Sequence, residues 1–400
     1  MPLCPSSTWT MKVTSHILDF EGGREGLSEP LSVYLHVPFC RSKCPYCSFA
    51  SSVPRLGDVD LYLSALESEL IGLSRLSGGP LSVRTLYIGG GTPTVLSVEE
   101  WIRLMDLLDR YIDRGSIEEF SVEANPESLS DGHLRFWRDR GISRISIGVQ
   151  SLDDDELRWL GRLHDSNEAR RAVIASVASG FDVSGDLMFG LKGQTLRKWH
   201  RSLKALAELG VGHMSLYQLT LDNDSFWGKK PPEGVFDGYG HYRWAQWYLP
   251  RIGFDQYEIA SFALEGRWSL HNLAYWNREN VLGLGPGAWG YLNGLRYEND
   301  PSLAGYCDSV RSSGFAAVYS ERIGGVAEAS ESAILALRTK WGIDLDGFCR
   351  RFGSGSKARL LKCLSEIPDN CLEWKKGSVA LTRKGMRVAN SIWERLLWEE

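Results

Sequence analysis

The 400-residue chain contains no apolar run near the roughly 18 residues that a membrane-spanning helix needs. It also has no excess of positive charge, since 45 Lys and Arg residues stand against 50 Asp and Glu, which leaves a net charge of −5. This balance argues against a protein that binds nucleic acid mainly through bulk electrostatics. Residues 1–30 have no basic region followed by an apolar core, so we expect an N-terminal tail there and a cytoplasmic protein.

A disulfide framework is also missing. Five of the eight cysteines are scattered, and a long chain without an export signal gives no reason to pair them. The other three, Cys40, Cys44 and Cys47, have the spacing C-x3-C-x2-C directly after an apolar segment at residues 31–37. Three thiolates on one short loop can hold three irons of a [4Fe–4S] cluster and leave the fourth iron open as a binding site.

A zinc ion held by the same three cysteines and a histidine such as His36 is the alternative. Structural zinc sites usually combine one closely spaced cysteine pair with a second, distant pair of ligands. This chain has no distant pair with ligand spacing. The spacing by itself therefore favours an iron–sulfur cluster, and zinc stays open as the second interpretation.

Short apolar strands alternate with amphipathic helices from residue 31 to residue 295. The expected strands are 31–37, 83–88, 119–123, 144–149, 182–188, 213–218 and 256–259, and the expected helices are 61–73, 98–111, 153–160, 167–179 and 196–209. This alternation predicts an α/β fold with a parallel sheet and helices outside it. Strands this regular indicate a barrel or part-barrel whose chemistry lies at the carboxyl ends of the strands.

Candidate ligand-binding groups follow these strands. Gly89-Gly90-Gly91-Thr92 ends the second strand, where glycines let backbone approach a ligand closely, although the run matches neither a P-loop nor a dinucleotide fingerprint. Glu123, Gln150, Arg162 and Asp186 end or follow the next three strands. Their side chains can bind hydroxyls, an amine or a carboxylate. Each alone is typical of a cap or an ion pair, but their place at consecutive strand ends predicts one shared site.

The character of the chain changes after Pro301. A helix and a turn are expected at 328–345, a second helix at 356–367, a hairpin at 372–374 and 378–381, and a last helix that Thr382 caps and that runs to residue 397. This order is typical of a winged-helix-like domain. Because the segment is mixed in charge and has no basic helix, we expect a scaffold or lid and no nucleic-acid partner.

Several motifs together point to a family. They are Tyr34-Leu-His36-Val-Pro-Phe-Cys40, Gly-Gly-Gly-Thr-Pro at 89–93, Glu-Ala-Asn-Pro at 123–126, Ile-Ser-Ile-Gly-Val-Gln-Ser at 145–151, Leu-Gly-Arg-Leu-His at 160–164, Asp-Leu-Met-Phe-Gly at 186–190 and Tyr-Gln-Leu-Thr at 217–220. The combination resembles the coproporphyrinogen-dehydrogenase-like branch of the radical S-adenosylmethionine (SAM) superfamily. The resemblance is strong over residues 31–295 and weak beyond them.

One residue and one motif narrow the resemblance to a single family within this branch. Phe49 stands where the oxygen-independent coproporphyrinogen III oxidases carry a fourth cysteine. His271-Asn-Leu-Ala-Tyr-Trp276 resembles the HNxxYW signature of the HemW family of haem chaperones. The Gly-Ala-His of that family is Gly287-Ala288-Trp289 here, so no role is carried over for its histidine.

The resemblance implies a radical SAM partial (β/α) barrel over residues 31–300 and a smaller C-terminal winged-helix-like α+β domain over 301–400, after a tail over 1–30. It implies that Cys40, Cys44 and Cys47 bind a [4Fe–4S] cluster. The SAM contacts that it implies are Tyr34, Tyr46, Gly90, Gly91, Thr92, Glu123, Gln150, Arg162 and Asp186.

The implied function is that of a haem chaperone, which binds haem and delivers it to haem-accepting proteins, with an electron donor for the cluster. A membrane-associated acceptor that binds transiently fits the same function. His271 is expected to be an axial haem ligand, with Trp276 packed on the macrocycle. Two alternatives stay open: an enzyme that oxidises coproporphyrinogen III with SAM, and a zinc protein whose winged-helix tail binds DNA. Whether the chain is an enzyme is therefore not decided by its sequence.

Overall fold

The computed structural model describes residues 26–27 and 29–398, so most of the expected tail, with Cys4, lies outside the described residues. A large sheet contains β1 (Leu31–Val37), β2 (Leu81–Gly90), β3 (Ile112–Asp113), β4 (Glu119–Ala124), β5 (Arg144–Gln150), β6 (Asp182–Phe189), β7 (His213–Gln218) and β10 (Val281–Leu284). Apart from the short β3, which pairs beside β2, these strands run parallel in the order β10-β1-β2-β4-β5-β6-β7. The end strands β7 and β10 of this run are not paired with each other, so the barrel is partial.

Helices connect successive parallel strands, as expected. They are α1 (Asp58–Ser77), α2 (Val98–Tyr111), α3 (Asp131–Asp139), α4 (Asp154–Trp159), α5 (Ser166–Ala178) and α6 (Leu196–Glu208). Side-chain caps begin several of them: Ser97 accepts from the Glu100 N–H, and Asp165 accepts from the Glu168 N–H, each within a capping box. The five expected helices of this region are confirmed, and α3 is an additional one.

The parallel run does not end where the sequence predicts. The segment 256–259 was expected as a seventh parallel strand, but β8 (Asp255–Gln256) and β9 (Ser261–Ala263) form an antiparallel edge beside β7. The residues between them leave the sheet and bond to the C-terminal region: the Ile259 N–H donates to the Arg338 carbonyl at 3.0 Å, and the Lys340 N–H donates to the Tyr257 carbonyl at 2.9 Å. These bonds replace the expected sheet partners.

The opposite edge of the sheet continues beyond β10. β11 (Trp289–Leu292), β12 (Leu295–Asn299) and β13 (Ala317–Arg322) form an antiparallel meander, joined first by an Asn-Gly turn at 293–294 that suits a tight hairpin. The expected domain boundary at residue 300 therefore lies inside the sheet. Four further α-helices lie between β7 and β13 in the sequence. They are α7 (Phe226–Lys229), α8 (Tyr239–Tyr248), α9 (Leu270–Trp276) and α10 (Leu303–Ser313).

The C-terminal region packs around its own apolar cluster, which contains residues from Ala329 to Trp398. It contains α11 (Gly325–Ala336), β14 (Ile343–Asp344), α12 (Leu345–Ser365), β15 (Leu372–Lys375), β16 (Ser378–Leu381), α13 (Arg383–Arg387) and α14 (Ala389–Glu394), with strand order β14-β16-β15. The expected hairpin and the Thr382 cap are confirmed. The single helix expected at 383–397 is wrong, because non-helical backbone at Val388 divides it.

The parallel strands are buried along nearly their whole length, as sheets covered by connecting helices are. None of the helices in the described part of the chain has the length and apolar character to cross a membrane.

Candidate functional site

The cysteine loop leaves the carboxyl end of β1 and is closed at its base. The Cys40 N–H donates to the Ser52 carbonyl at 2.9 Å, and the Ser52 N–H donates to the Pro38 carbonyl at the same distance, 2.9 Å. Within the loop, the Cys47 N–H donates to the Cys44 carbonyl at 3.1 Å. The three sulfurs therefore lie on a short, hydrogen-bonded loop at the edge of the sheet where the sequence predicts the chemistry.

His36 holds the loop from inside the barrel. Its Nε2 lies 2.7 Å from the Ala50 carbonyl and its Nδ1 lies 3.0 Å from the Tyr34 hydroxyl. Burial lowers the pKa of His36 to about 4, so the ring is neutral at physiological pH. Since both ring nitrogens are engaged, His36 is not placed to serve as the fourth ligand of a zinc ion.

Polar groups from two other loops reach the cysteine sulfurs. The Thr92 hydroxyl donates to Cys40 Sγ at 3.5 Å, and Arg162 Nη1 donates to Cys44 Sγ at 3.5 Å. Burial raises the pKa of the Cys47 thiol, and the neighbouring Cys44 and Cys40 sulfurs add to that rise. The sulfurs thus lie within electrostatic reach of one another, and a guanidinium lies beside Cys44.

Arg162 joins three elements at this edge. Its Nη2 donates to Asn125 Oδ1 at 2.7 Å and to the Gly148 carbonyl at 3.2 Å, and it lies 3.9 Å from the Glu127 carboxylate. The Asn125 amide in turn donates to the Thr92 hydroxyl at 2.9 Å. The side chain of Arg162 is 6% exposed, and its Nε has no hydrogen-bond partner among the described residues. A buried donor of this kind is costly unless a ligand or water satisfies it.

Two carboxyl groups of intermediate exposure face the interior below the loop. Glu123 accepts from the Gly90 N–H at 3.0 Å and from the Tyr87 hydroxyl at 2.9 Å, and burial raises the pKa of Glu123 to about 7. The Ser146 hydroxyl lies 3.1 Å from Asp186, and burial raises the pKa of Asp186 to about 6. Burial disfavours the negative charge of both carboxyl groups. Such groups are suited to accept hydrogen bonds from an amine or from hydroxyls of a bound molecule.

Gly90 and Gly91 are required by the packing of the chain itself. Gly90 has a φ of 115°, and a Cβ there would lie 2.8 Å from the His36 ring. A Cβ on Gly91 would lie 2.5 Å from the Phe39 carbonyl oxygen and 3.0 Å from Cys40 Sγ. The close approach that the glycines permit is therefore to β1 and the cysteine loop, whether or not a ligand also lies there.

Comparison with known proteins identifies the family. The model of the radical SAM superfamily matches residues 34–222, which include the cysteine loop and the strand ends described above. A protein from Bacillus subtilis named heme chaperone HemW is 34% identical over 377 residues, which cover 92% of this chain and 99% of that protein. The chain belongs to the HemW family of radical SAM proteins.

A second HemW protein agrees with this, and one solved structure supports the fold. HemW from Escherichia coli is 36% identical over 273 residues, which cover 65% of this chain and 70% of that protein. The solved structure of coproporphyrinogen III oxidase (HemN) from Escherichia coli superimposes with a TM-score of 0.81 at 24% identity, over 95% of this chain and 94% of that one. The HemN likeness confirms the radical SAM fold, including the C-terminal region.

The other residues that the HemW resemblance implies as SAM contacts lie around the same edge. Tyr46, in the cysteine loop, packs against Trp227 with ring centres 6.1 Å apart, and the Trp227 N–H donates to the Pro45 carbonyl at 2.9 Å. Gln150, the last residue of β5, has a φ of 61°, which is unusual for a residue other than glycine. Such backbone strain occurs most often at functional sites.

His271 does not join this site. It is the second residue of α9, the helix that contains the HNxxYW motif. The backbone N–H groups of Leu270 and His271 donate to Glu119, the first residue of β4, at 2.7 and 3.2 Å. The His271 Nδ1 lies 2.9 Å from the Thr85 hydroxyl, and the ring stacks on Tyr87 with centres 5.0 Å apart. The motif therefore closes the amino-terminal end of the barrel, opposite the cysteine loop.

The expectation that His271 is an axial haem ligand stays a prediction, and the placement of the ring does not support it. The residue is 1% exposed, and burial lowers its pKa to about 3. A macrocycle cannot reach its Nε2 unless the barrel opens. Trp276 is partly exposed, and the Arg338 guanidinium lies over its ring, 4.0 Å from the ring centre. In this chain the motif thus packs the barrel end and the C-terminal region together.

Sequence reasoning missed three members of the site. Asn125 links Thr92 to Arg162, and the Glu127 carboxylate lies 3.0 Å from His164 Nδ1 while His164 Nε2 lies 3.2 Å from the Val149 carbonyl. The sequence contains a pattern that could have identified them. Asn125 and Glu127 follow Glu123 at alternate positions, and His164 follows Arg162 at the same spacing.

The residues at the cysteine edge fit a cluster and SAM. Among the described residues, no three His, Cys, Asp or Glu side chains converge on one point as a single metal ion requires. A cluster does not need that convergence, because each cysteine binds a different iron. The unpartnered Arg162 Nε offers a charged donor beside Cys44, and Glu123 and Asp186 offer acceptors below it.

Proposed function

We propose that this HemW-family protein binds a [4Fe–4S] cluster through Cys40, Cys44 and Cys47, binds SAM beside it, and carries haem to haem-accepting proteins in the cytoplasm. An electron donor for the cluster is a further partner, and a membrane-associated acceptor is included among the haem-accepting proteins. The observation that carries the proposal is the match to a protein named heme chaperone HemW over 92% of this chain and 99% of that protein.

The geometry supports a role for each group at the cysteine edge. When bound, the cluster supplies an open iron and an electron, and SAM supplies a sulfonium that can accept it. Arg162 is placed to bind the SAM carboxylate while it holds Cys44, because its buried guanidinium has a donor to spare. Glu123 is placed to accept from the SAM amine, and Asp186 from the ribose hydroxyls.

Phe49 supports the chaperone over the oxidase. It occupies the position of the fourth cysteine of the oxidases, and its side chain is 57% exposed on the loop. The likeness to HemN is a likeness of fold at 24% identity and carries no activity to this chain. No feature of the described residues favours porphyrinogen oxidation over haem binding.

The test is a pair of anaerobic assays on the cluster-containing protein. Haem-loaded protein mixed with an apo-haem protein should transfer its haem, seen as the Soret band of the acceptor. The same protein with SAM, a reductant and coproporphyrinogen III should yield no protoporphyrinogen. Turnover of coproporphyrinogen without haem transfer would mean that the protein is a coproporphyrinogen-oxidising enzyme and not a haem chaperone.

A further inference from the structure

A polar groove lies at the end of the barrel opposite the cysteine loop. Its volume is about 830 Å³, and it runs between the start of β1, the β11–β12 hairpin and the helices α11 and α12. Four arginines line it: Arg84, Arg278, Arg322 and Arg351. Tyr291 adds an aromatic ring to the same wall. The size is within the range of about 300–1,000 Å³ that small-molecule sites occupy.

Arg278 is the most unusual residue of the groove. It directly follows α9, where a left-handed residue ends the helix, and it has a φ of 58° at a position that normally favours glycine. Its Nη1 donates to the Glu328 carbonyl at 2.8 Å and to the Ser332 hydroxyl at 3.1 Å. Its side chain is 3% exposed, and its guanidinium lies 3.4 Å from the Glu331 carboxylate and 3.7 Å from the Glu328 carboxylate. Its Nε and Nη2 nevertheless have no hydrogen-bond partner among the described residues.

The buried Arg278 also lies against Tyr291. Its guanidinium carbon is 4.9 Å from the centre of the Tyr291 ring. An arginine kept in a strained backbone position, buried, stacked on a ring and left with an unused donor indicates a site prepared for an anion.

The carboxylates of the groove are spread among the arginines. Arg84 pairs with Glu279 at 2.8 Å and with Glu118 at 3.3 Å, and Arg351 pairs with Glu328 at 2.9 Å. Glu29 lines the groove as well. Ion pairs between such half-exposed side chains are weak. A ligand carboxylate can therefore exchange with the glutamates that pair with Arg84 and Arg351 at little cost and gain bidentate contacts to these arginines.

We propose that this groove binds the two propionate carboxylates of haem, with the macrocycle against Tyr291. The proposal rests on the proposed function, since it assigns a place to the haem that a chaperone must carry. It also gives the HNxxYW motif a part in haem binding without ligation by His271. The motif helix fixes Arg278, Glu279 and Asn280 in the wall of the groove.

The groove is remote from the cysteine loop. Arg84 and Gly90 lie six residues apart on β2, which corresponds to about 20 Å along an extended strand. Haem and SAM would therefore bind at opposite ends of the barrel. It follows that loss of the cluster should leave haem affinity unchanged as long as the barrel stays folded.

The test is an anaerobic haem titration of the full-length protein, followed in the Soret region. Arg84→Gln/Arg351→Gln should raise the dissociation constant for haem at least about tenfold, because it removes two charge-assisted contacts. Arg311→Gln is the matched control, since Arg311 is exposed on α10 and pairs only with Asp308 three residues before it. Haem dimethyl ester, which lacks both carboxylates, should bind the wild type as weakly as haem binds the double variant.

The outcomes separate this proposal from the proposed function. If the wild type binds haem and the double variant binds it equally well, or if the dimethyl ester binds as tightly as haem, the groove is not the site and the chaperone function stands. An equal loss in Arg311→Gln would show a general effect of charge and would also overturn the assignment. If the wild type binds no haem, the proposed function itself fails. Unchanged circular dichroism and melting temperature confirm that the variants are folded.

Discussion

Arg162 and Cys44, which are 118 residues apart in sequence, are joined by a contact of 3.5 Å between Nη1 and Sγ. The contact fixes the loop after α4 to the cysteine loop. It places a buried positive charge beside one of the three sulfurs and leaves one donor of the guanidinium unused. The proposed SAM site is therefore formed by this arginine together with the strand ends around it.

Substitution of Arg162 should separate SAM binding from the fold. Arg162→Gln should weaken SAM binding by about 1.5–3 kcal/mol, the value of a hydrogen bond to a charged group, because the carboxylate of SAM loses its cationic partner. Calorimetry of the cluster-containing protein measures this. Arg158→Gln is the control, since the Arg158 side chain is 74% exposed and pairs with Asp155 on the same helix. Equal SAM affinity in all three proteins would place the SAM carboxylate elsewhere.

Removal of one cysteine should remove the cluster. Cys44→Ala leaves one iron without its protein ligand, so anaerobically purified protein should lose its brown colour and most of its iron and sulfide. Cys307→Ala should keep both, because Cys307 lies in a separate apolar cluster beside α1. Iron and acid-labile sulfide counts decide the matter, and a full complement of four irons in Cys44→Ala would refute the assignment.

The stability of the protein should depend on pH through Glu69. This residue is 3% exposed, accepts from the Tyr306 hydroxyl at 2.7 Å, and has a pKa that burial raises from 4.5 to about 7. Because the folded state holds the proton more tightly, its contribution to the free energy of unfolding is fully present below pH 4.5. It is lost as the pH rises to 7, by on the order of 3 kcal/mol.

Glu69→Gln cannot ionise and should therefore lose this part of the pH dependence. Urea unfolding of both proteins at pH 5, 6, 7 and 8 gives the difference between their free energies of unfolding. We expect that difference to shift in favour of Glu69→Gln as the pH rises. A difference that stays constant over this range would mean that Glu69 is charged in the folded protein throughout.

His271→Ala should destabilise the protein and leave its haem spectrum unchanged. The substitution removes a buried ring that stacks on Tyr87 and leaves the Thr85 hydroxyl without its partner, at a cost of about 2–4 kcal/mol. Urea unfolding measures the loss, and the Soret maximum of haem-loaded protein reports the axial ligands. A shifted Soret maximum with unchanged stability would restore His271 as the ligand.

Much of the fold was predictable because its periodicity is regular. The limits of β1, β7 and α2 agree residue by residue with the sequence-based expectation, since apolar runs of strand length alternate with capped amphipathic helices. The antiparallel strands β8, β9 and β11 to β13 were not predictable in this way. They are short, and β9 pairs with β7 between residues distant in sequence, such as Ser261 and Ser215.

Site residues were predictable from the sequence where their motif directly follows a strand. They were not predictable where the position of a residue depends on how a separate helix packs. Arg162 and Glu123 could be placed at the cysteine edge because parallel strands end together there. The orientation of His271 could not, because the sequence does not tell which end of the barrel a short helix closes. Arg278 was not predicted as a binding residue, because its burial and its left-handed backbone are visible only in the folded chain.

The central claim is that the protein carries haem at a site separate from its cluster. The most direct measurement is an anaerobic haem titration of the cluster-containing wild type alongside Cys44→Ala. The account predicts saturable binding of one haem per chain, with the same dissociation constant and Soret maximum in both proteins, although only the wild type contains the cluster. Absence of saturable haem binding in the wild type, or binding that disappears with the cluster while the fold persists, would contradict it.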